Sequence, residues 1–164
     1  MTYTPIVGTL VYIVDRVAGR VLLVHRNARA DDDHLGKYNG LGGKLESHED
    51  IVEGIRREVR EEASIELTRL MLRGTVNWPG FGPNGEDWLG FVFLSDAWTG
   101  EPPSRNDEGS LMWVTLDDLL SDKLPLWEGD RHFLPLVFDN DPRTFHGVMP
   151  YADGRPTAWS YSRL

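Results

Sequence analysis

Residues 43–65 read GKLESHEDIVEGIRREVREEASI, and the second half of this stretch predicts an amphipathic helix. Asp50 is suited to cap the helix, and Glu53 follows three residues later, where an acid favours the first turn. Apolar residues then recur at intervals of three or four and should form a buried stripe. They are Val52, Ile55, Val59 and Ala63. The helix is therefore predicted to pack one face against the core.

The same helix carries glutamates on an arc beside that stripe. Glu58, Glu61 and Glu62 follow the spacing i, i+3 and i+4, which places them on one side of a helix. Like charges at this spacing repel, at about 0.2–0.5 kcal/mol per pair. Mg²⁺ prefers oxygen ligands and is commonly shared with substrate phosphates, so a bound cation would reverse that repulsion. The alternative is a solvated face whose acids are neutralised by arginines of the same helix.

The spacing of the fixed residues resembles the Nudix box, Gly-x5-Glu-x7-Arg-Glu-U-x-Glu-Glu-x-Gly-U, where U is a bulky aliphatic residue. The matching positions are Gly43, Glu49, Arg57, Glu58, Val59, Glu61, Glu62 and Ile65. One position departs, because Ser64 stands where the family has glycine at the helix exit. A left-handed turn there is cheapest without a Cβ atom, but serine removes no metal ligand. The resemblance implies an α/β fold, the Nudix-type α/β/α sandwich with a mixed sheet, formed by residues 1–164 as a single domain.

The resemblance also implies a metal site and a catalytic set. The implied ligands of Mg²⁺, for which Mn²⁺ can substitute, are Glu58, Glu61, Glu62, Glu108 and a backbone carbonyl of Gly42 or Gly43. The implied catalytic residues are Glu61, Glu62, Glu108, Arg57 and Glu49. In this set Glu49 pairs with Arg57, and Glu61 or Glu62, assisted by Glu108, accepts a proton from water. Which glutamate is the general base stays open.

The likeness continues outside the box. The segments YNGLGGKLE, PLWEGDRHFLPLVF and FHGVMPYADGR, together with Glu108 ahead of LMWV, resemble MutT-type purine nucleoside triphosphate diphosphatases. The similarity is greatest to the branch that removes oxidised purines from the nucleotide pool. It implies hydrolysis of a triphosphate such as 8-oxo-dGTP to the monophosphate and pyrophosphate. Whether the oxidised base is preferred stays open.

Base recognition follows from the shape and edge chemistry of a purine. Its flat face favours an aromatic wall, and its donors and acceptors favour amide and carboxylate partners. The resemblance assigns stacking to Trp127 and edge recognition to Asp130 and Asn39. Trp78 and Trp88 are interpreted either as an opposite wall or as ordinary core residues, which is the commoner role of tryptophan.

Three further positions carry expectations. Arg26 falls where the family uses a basic residue near the phosphates, although a solvated arginine is the alternative. The aspartates at 31–33, followed by His34, lie in a polar loop, Asn27–Lys37. They are expected to be solvated, and metal binding is the alternative. Gly129 precedes Asp130 where the related enzymes have two adjacent aspartates. A single aspartate suggests a narrower range of purines.

Composition limits the partners. The 164 residues include 17 basic and 26 acidic side chains, for a formal charge of −9. Duplex nucleic acid and anionic membranes need a basic face, so neither is expected as the main partner, whereas a small polyanion neutralised by metal ions remains possible. The resemblance implies that this partner is a small nucleotide. The absence of cysteine excludes disulfides and zinc–thiolate sites. With no apolar run of membrane-spanning length and no signal-like start, we expect a cytoplasmic location. The oligomeric state stays open.

The remaining elements are predicted from alternation and turn residues. Strands are expected at Ile6–Val14, Arg20–His25, Arg69–Trp78, Trp88–Ser95 and Leu111–Val114. A last helix should begin near Asp130 and reach about Phe138, with Pro135 as a disturbance. Asp153-Gly154 signals a closing hairpin.

Other functions remain as alternatives. Pro79 lies near the spacing at which ADP-ribose-cleaving relatives place a proline, although the Gly- and Pro-rich loop around it explains it as a turn residue. Dinucleoside polyphosphates or capped RNA are further substrates of this superfamily. A non-catalytic nucleotide-binding module is the alternative from a different class, but the box keeps all its glutamates. An isoprenoid diphosphate isomerase would resemble enzymes that use a catalytic cysteine, which this chain lacks.

Overall fold

The helix predicted from residues 43–65 lies against a large sheet. The structure, a computed structural model, describes residues 1–164. Its strands are β1 (Ile6–Asp15), β2 (Arg20–Arg26), β3 (Tyr38–Asn39), β4 (Leu41–Lys44), β5 (Glu66–Trp78), β6 (Trp88–Thr99), β7 (Gly109–Thr115), β8 (Phe145–Val148), β9 (Tyr151–Ala152), β10 (Arg155–Pro156) and β11 (Ser160–Arg163). Its helices are α1 (Ile51–Ala63), α2 (Leu116–Leu119) and α3 (Asp130–Phe138).

The main sheet is mixed. Its strand order is β11-β8-β5-β6-β1-β2-β3, with β4 beside β1 and β7 beside β2. The pairs β1/β6 and β5/β8 are parallel, and the other pairs are antiparallel. The predicted closing hairpin consists of the short β9–β10 pair around Asp153-Gly154, with β8 and β11 pairing beyond it.

Two apolar cores lie on opposite faces of this sheet. Because side chains alternate along a strand, β1 contributes to both. Val11 and Ile13 belong to the core on the α1 side. Tyr12 and Val14 belong to the core that includes Phe133 of α3. This arrangement is the predicted α/β/α sandwich.

Helix α1 begins and ends as its sequence predicts. The Asp50 carboxylate accepts the backbone N–H groups of Val52 at 2.8 Å and Glu53 at 2.9 Å. Ser64 adopts the left-handed conformation, with φ 55° and ψ 31°, and its N–H donates to the Arg60 carbonyl. The conformation suited to glycine is therefore kept by serine. The prediction that Val52 joins the buried stripe is wrong, because Val52 is exposed and Gly54 is buried instead.

Several element bounds differ from those expected. Strand β5 begins at Glu66 and β6 continues to Thr99, because these neighbours keep pairing through irregular register. The glycine-rich segment before α1 forms the two short strands β3 and β4. Pro135 lies inside α3 without ending it. None of the helices is both long enough and apolar enough to span a membrane.

Candidate active site

Arg57 joins the start of the box to helix α1. Its Nε lies 2.8 Å and its Nη2 2.6 Å from the two carboxylate oxygens of Glu49. Nη2 also donates to the Lys44 carbonyl at 3.3 Å. The hydrogen bonds from Arg57 lower the pKa of Glu49 to about 2. This bidentate ion pair between Arg57 and Glu49 holds the loop before α1 against the helix.

The remaining nitrogen of Arg57 contacts two acids of the helix. Nη1 lies 3.0 Å from Glu58 and 3.3 Å from Glu61. The Glu58 side chain is only 15% exposed, whereas that of Glu61 is 60% exposed. Glu58 lies against Gly43, where an added Cβ would approach its Oε1 to 2.5 Å. A residue larger than glycine at position 43 would therefore push Glu58 away from the sheet.

Glu62 is the most perturbed acid of the group. Burial, followed by the charges of Glu108 and Glu58, raises its pKa to about 9. Burial also raises the pKa of Glu58, and the neighbouring charge of Glu61 adds to this effect. The backbone of Gly42 forms a hydrogen bond to the Glu62 carboxylate, so the amide of Gly42 faces this acid. Glu58, Glu61, Glu62 and Glu108 thus form one group of neighbouring carboxyls, the acid group, in which burial and repulsion favour a proton on Glu62.

Arg26 lies at the edge of this acid group. Its Nη1 is 2.9 Å from Glu108, and its Nε is 2.8 Å from Asp32. The Arg26 side chain is 14% exposed and that of Asp32 only 3% exposed. The expectation that the aspartates at 31–33 are all solvated is therefore wrong for Asp32. Arg26 is held between two carboxylates rather than standing free in solvent.

The donor chemistry of the acid group fits a hard divalent cation. All its side-chain donors are carboxylate oxygens, the ligands that Mg²⁺ and Mn²⁺ prefer. The pKa of Glu62 is raised because its carboxyl is buried and lies near the charges of Glu108 and Glu58. A bound cation would offset this repulsion and favour the ionised carboxylate. In this conformation no three His, Asp or Glu side chains converge into a closed ligand set. Glu58, Glu61, Glu62 and Glu108 would therefore have to reorient to hold a divalent cation, and the Glu61 carboxylate, which is 60% exposed, contacts Arg57 in this conformation.

A cavity of about 320 Å³ opens beside this group, and a smaller one of about 120 Å³ continues from it. The larger cavity is lined by Arg26, Gly42, Gly43 and Trp88, among others. The smaller is lined by Leu10, His34, Asn39, Gly40, Trp78, Phe81, Trp127, Asp130 and Tyr151. Of these, Leu10, His34, Asn39, Gly40, Trp78 and Phe81 line both cavities. The glycines next to the acids therefore open into the same space as the aromatic walls.

Trp127 is held by three neighbours. Its Nε1 donates to His34 Nδ1 at 2.9 Å. The Lys37 Nζ lies 4.8 Å from the centre of its ring, and Phe81 makes an edge-on contact at 6.2 Å. These contacts fix the indole at the wall of the smaller cavity.

The polar groups of the smaller cavity are Asp130, Asn39 and Tyr151. Burial raises the pKa of Asp130 to about 7. The Nδ2 atom of Asn39 is buried without a hydrogen-bond partner. Burial, followed by the charge of Asp130, also raises the pKa of the Tyr151 phenol. This end of the cavity therefore offers a titratable acid, a free amide donor and a neutral hydroxyl.

The sequence left open whether Trp78 and Trp88 form a wall of the base pocket or belong to the core. Trp78 packs edge-on against Phe133 of the core at 6.2 Å and lines both cavities. Trp88 lines the larger cavity, with the Lys44 Nζ 5.6 Å from its ring centre. Its Nε1 is buried without a partner. Trp78 thus packs against the core and faces the cavities, whereas Trp88 is a half-buried wall of the larger cavity and belongs to neither core.

Sequence reasoning missed four residues of this site: Asp32, His34, Phe81 and Tyr151. Phe81 lies in a Gly- and Pro-rich loop, and Tyr151 follows Pro150 at the start of β9; an aromatic residue beside such loop residues is a usable signal for a ligand contact. No pattern in the sequence marks Asp32 or His34, since their partners are 6 and 93 residues away.

Comparison with known proteins identifies the family of this chain. Residues 4–137 match the NUDIX domain family. The chain is 30% identical over 155 residues to the uncharacterized Nudix hydrolase YvcI of Bacillus subtilis, covering 92% of this chain and 89% of that protein. It is 32% identical over 132 residues to the oxidized purine nucleoside triphosphate hydrolase of Danio rerio, covering 79% of this chain and 77% of that protein.

A solved structure gives the same result for the whole fold. The crystal structure of a mutator MutT protein from Bacillus halodurans superposes with a TM-score of 0.79 at 26% identity, covering 96% of this chain and 97% of that one. The match in sequence and in fold extends well beyond the box. The chain belongs to the Nudix hydrolase family.

Proposed function

We propose that this enzyme hydrolyses purine nucleoside triphosphates, oxidised ones such as 8-oxo-dGTP among them, to the monophosphate and pyrophosphate with Mg²⁺ or Mn²⁺. The observation that carries the proposal is the continuity of the two cavities, which share Asn39 and Trp78 while only the larger reaches Gly42 and Gly43. A nucleotide needs such a site, with an aromatic and polar end for the base and a charged end for the phosphates.

The smaller cavity supports a purine as the base. Trp127 provides a flat face, and Asn39 and Asp130 provide hydrogen-bonding groups for the edge. An added Cβ at Gly129 would approach Met149 Sδ to 2.5 Å and would clash with the Tyr151 hydroxyl. A second aspartate there would have to displace the ends of these two side chains, and Asp130 is the single acid that lines the smaller cavity, which supports the hypothesis of a narrower purine range.

The chemistry at the other end follows from the acids. Glu58, Glu61, Glu62 and Glu108 hold the metal and the attacking water in this proposal. When bound, Mg²⁺ or Mn²⁺ neutralises phosphate oxygens and lowers the pKa of the water that attacks the β-phosphorus. Glu61 or Glu62, with Glu108 assisting, accepts the proton of that water. Arg57 keeps Glu58 oriented through its 3.0 Å contact, and Glu49 in turn holds Arg57.

The relative from Danio rerio carries the same activity in its name, which supports the proposed substrate class. We further propose that residues 1–164 act as a single domain in the cytoplasm, on a small nucleotide rather than on duplex nucleic acid or a membrane. The net charge of −9 is consistent with this choice of partner.

The test is a substrate panel with identified products. We expect the highest kcat/KM for a purine triphosphate among 8-oxo-dGTP, 8-oxo-GTP, dGTP and ADP-ribose, with pyrophosphate released and no turnover in EDTA. Glu61→Gln and Glu62→Gln should each lower kcat by orders of magnitude while the protein stays folded. Preference for ADP-ribose, a dinucleoside polyphosphate or a capped RNA would replace the substrate class. Nucleotide binding without any metal-dependent hydrolysis would instead identify a non-catalytic module.

A further inference from the structure

We infer that His34 is a positioning residue for base recognition, because its ring accepts the indole N–H of Trp127 and so fixes the plane of that side chain. The inference rests on the proposed function, since it concerns how the proposed base pocket is held. His34 comes from the polar loop before β3, and it lines both cavities.

The contact with Trp127 determines which nitrogen of His34 carries the proton. An indole N–H can only donate, so the His34 Nδ1 at 2.9 Å must accept. The ring is therefore neutral with its proton on Nε2. Burial, followed by the charge of Arg26, lowers the pKa of His34 and favours the same neutral form. The rings meet edge-on, with centres 4.8 Å apart and planes at 76°.

The wall that holds His34 and Trp127 also presents a donor to the ligand. Asn39 lines both cavities together with His34. The Nδ2 atom of Asn39 is buried without any partner. A buried donor without a partner is costly, and an acceptor on the edge of a bound base would satisfy it.

The backbone of His34 is held in place by hydrogen bonds within its own loop. Its backbone N–H donates to Asp32 at 2.9 Å, and its carbonyl accepts the Lys37 N–H at 2.9 Å. The other oxygen of Asp32 binds Arg26, which contacts Glu108. One short loop therefore supports both the wall of the base pocket and the edge of the acid group. A side chain held this firmly can position its neighbours.

Two substitutions separate the acceptor from the bulk of the ring. His34→Leu removes the acceptor for the Trp127 indole, whereas His34→Asn keeps an oxygen near the place of Nδ1. The matched control is His132→Leu, because His132 also contacts a tryptophan, Trp159, with ring centres 6.2 Å apart, but lies outside both cavities.

The experiment measures KM and kcat for 8-oxo-dGTP and dGTP together with the indole N–H signals in a ¹H–¹⁵N NMR spectrum. Trp127→Phe identifies the Trp127 signal. We expect His34→Leu to raise KM about five- to tenfold with a smaller change in kcat and to shift the Trp127 signal. His34→Asn should recover most of the loss, and His132→Leu should leave KM and that signal unchanged.

The inference is overturned if the wild type is active on purine triphosphates and His34→Leu keeps its KM and its Trp127 signal. Equal losses in His34→Leu and His34→Asn would also overturn it, because the acceptor would then be irrelevant. A wild type without any purine triphosphate activity would remove the proposed function, and this inference with it.

Discussion

Replacing Glu62 with glutamine should make the metal-free protein more stable, although it removes a proposed metal ligand. Burial, followed by the charges of Glu108 and Glu58, raises the pKa of Glu62 from 4.5 to about 9. The folded protein therefore keeps a proton on this carboxyl at neutral pH, whereas the unfolded chain releases it. Because the folded state binds more protons between these two pKa values, stability is lost as the pH rises through that window.

The size of the effect follows from that window. Each pH unit costs about 1.4 kcal/mol, so the cost at pH 7 reaches about 3 kcal/mol. Glutamine carries no charge and removes this cost. For a chain of this length the midpoint of thermal unfolding should rise by about 6–12 °C. The fall in stability of the wild type between about pH 5 and about pH 9 should also be much weaker in the variant.

The assay is thermal unfolding followed by circular dichroism in EDTA at several pH values. The matched control is Glu61→Gln, since Glu61 lies on the same helix but is 60% exposed. Loss of its contact with Arg57 should cost no more than about 0.5 kcal/mol. Adding Mg²⁺ should then stabilise the wild type and not Glu62→Gln. A variant that is less stable than the wild type in EDTA at pH 7 would refute the reasoning.

Three further predictions concern the rest of the site. Asp32→Asn should lower the free energy of unfolding, measured in urea, by about 2–3 kcal/mol, because the buried 2.8 Å ion pair with Arg26 is lost. The control Asp33→Asn, at an exposed position, should change it by less than about 0.5 kcal/mol. Asp130 should lose its proton near pH 7 and then accept hydrogen bonds from the edge of a guanine base. In steady-state assays, KM for a guanine substrate should therefore fall as the pH rises through about 7. Asp130→Asn should abolish this pH dependence. Gly129→Asp should lower thermal stability by about 1–3 kcal/mol and raise KM, because its Cβ displaces the Tyr151 hydroxyl; an unchanged KM would show that the space is free.

The features predictable from the sequence are those that depend on local spacing. The cap at Asp50 and the left-handed exit at Ser64 follow from residues a few positions apart, and so does the arc of glutamates between them. The box spacing also identified the family and therefore the sandwich fold. The packing of β1 against a core on each face of the sheet agrees with that fold. The spacing wrongly placed Val52 on the buried face, because it follows the apolar residues alone and does not mark the buried Gly54.

The features that escaped prediction depend on contacts between distant segments. Asp32 looks like one of three equivalent aspartates, yet it alone is buried, because Arg26 turns back towards it at the end of β2. The contact of His34 with Trp127 spans 93 residues, and only the assembled sheet brings the two together. The role of Trp78 was ambiguous for a related reason, since one ring can touch the core and the cavity at once.

The position of the cavity floor has a consequence for how such a protein can change its ligand. Gly8, Thr9 and Leu10 line the cavity from the middle of β1, which pairs with β4 on one side and β6 on the other. Phe81 and Pro83 line it from the connection between β5 and β6. In hydrogen–deuterium exchange, the amides of the floor (Gly8, Thr9 and Leu10) should therefore exchange last, and those of the rim (the connection between β5 and β6) should exchange first. Substitutions in the rim leave the paired strands intact, so descendants of one ancestor could diverge in ligand choice while inheriting the same scaffold.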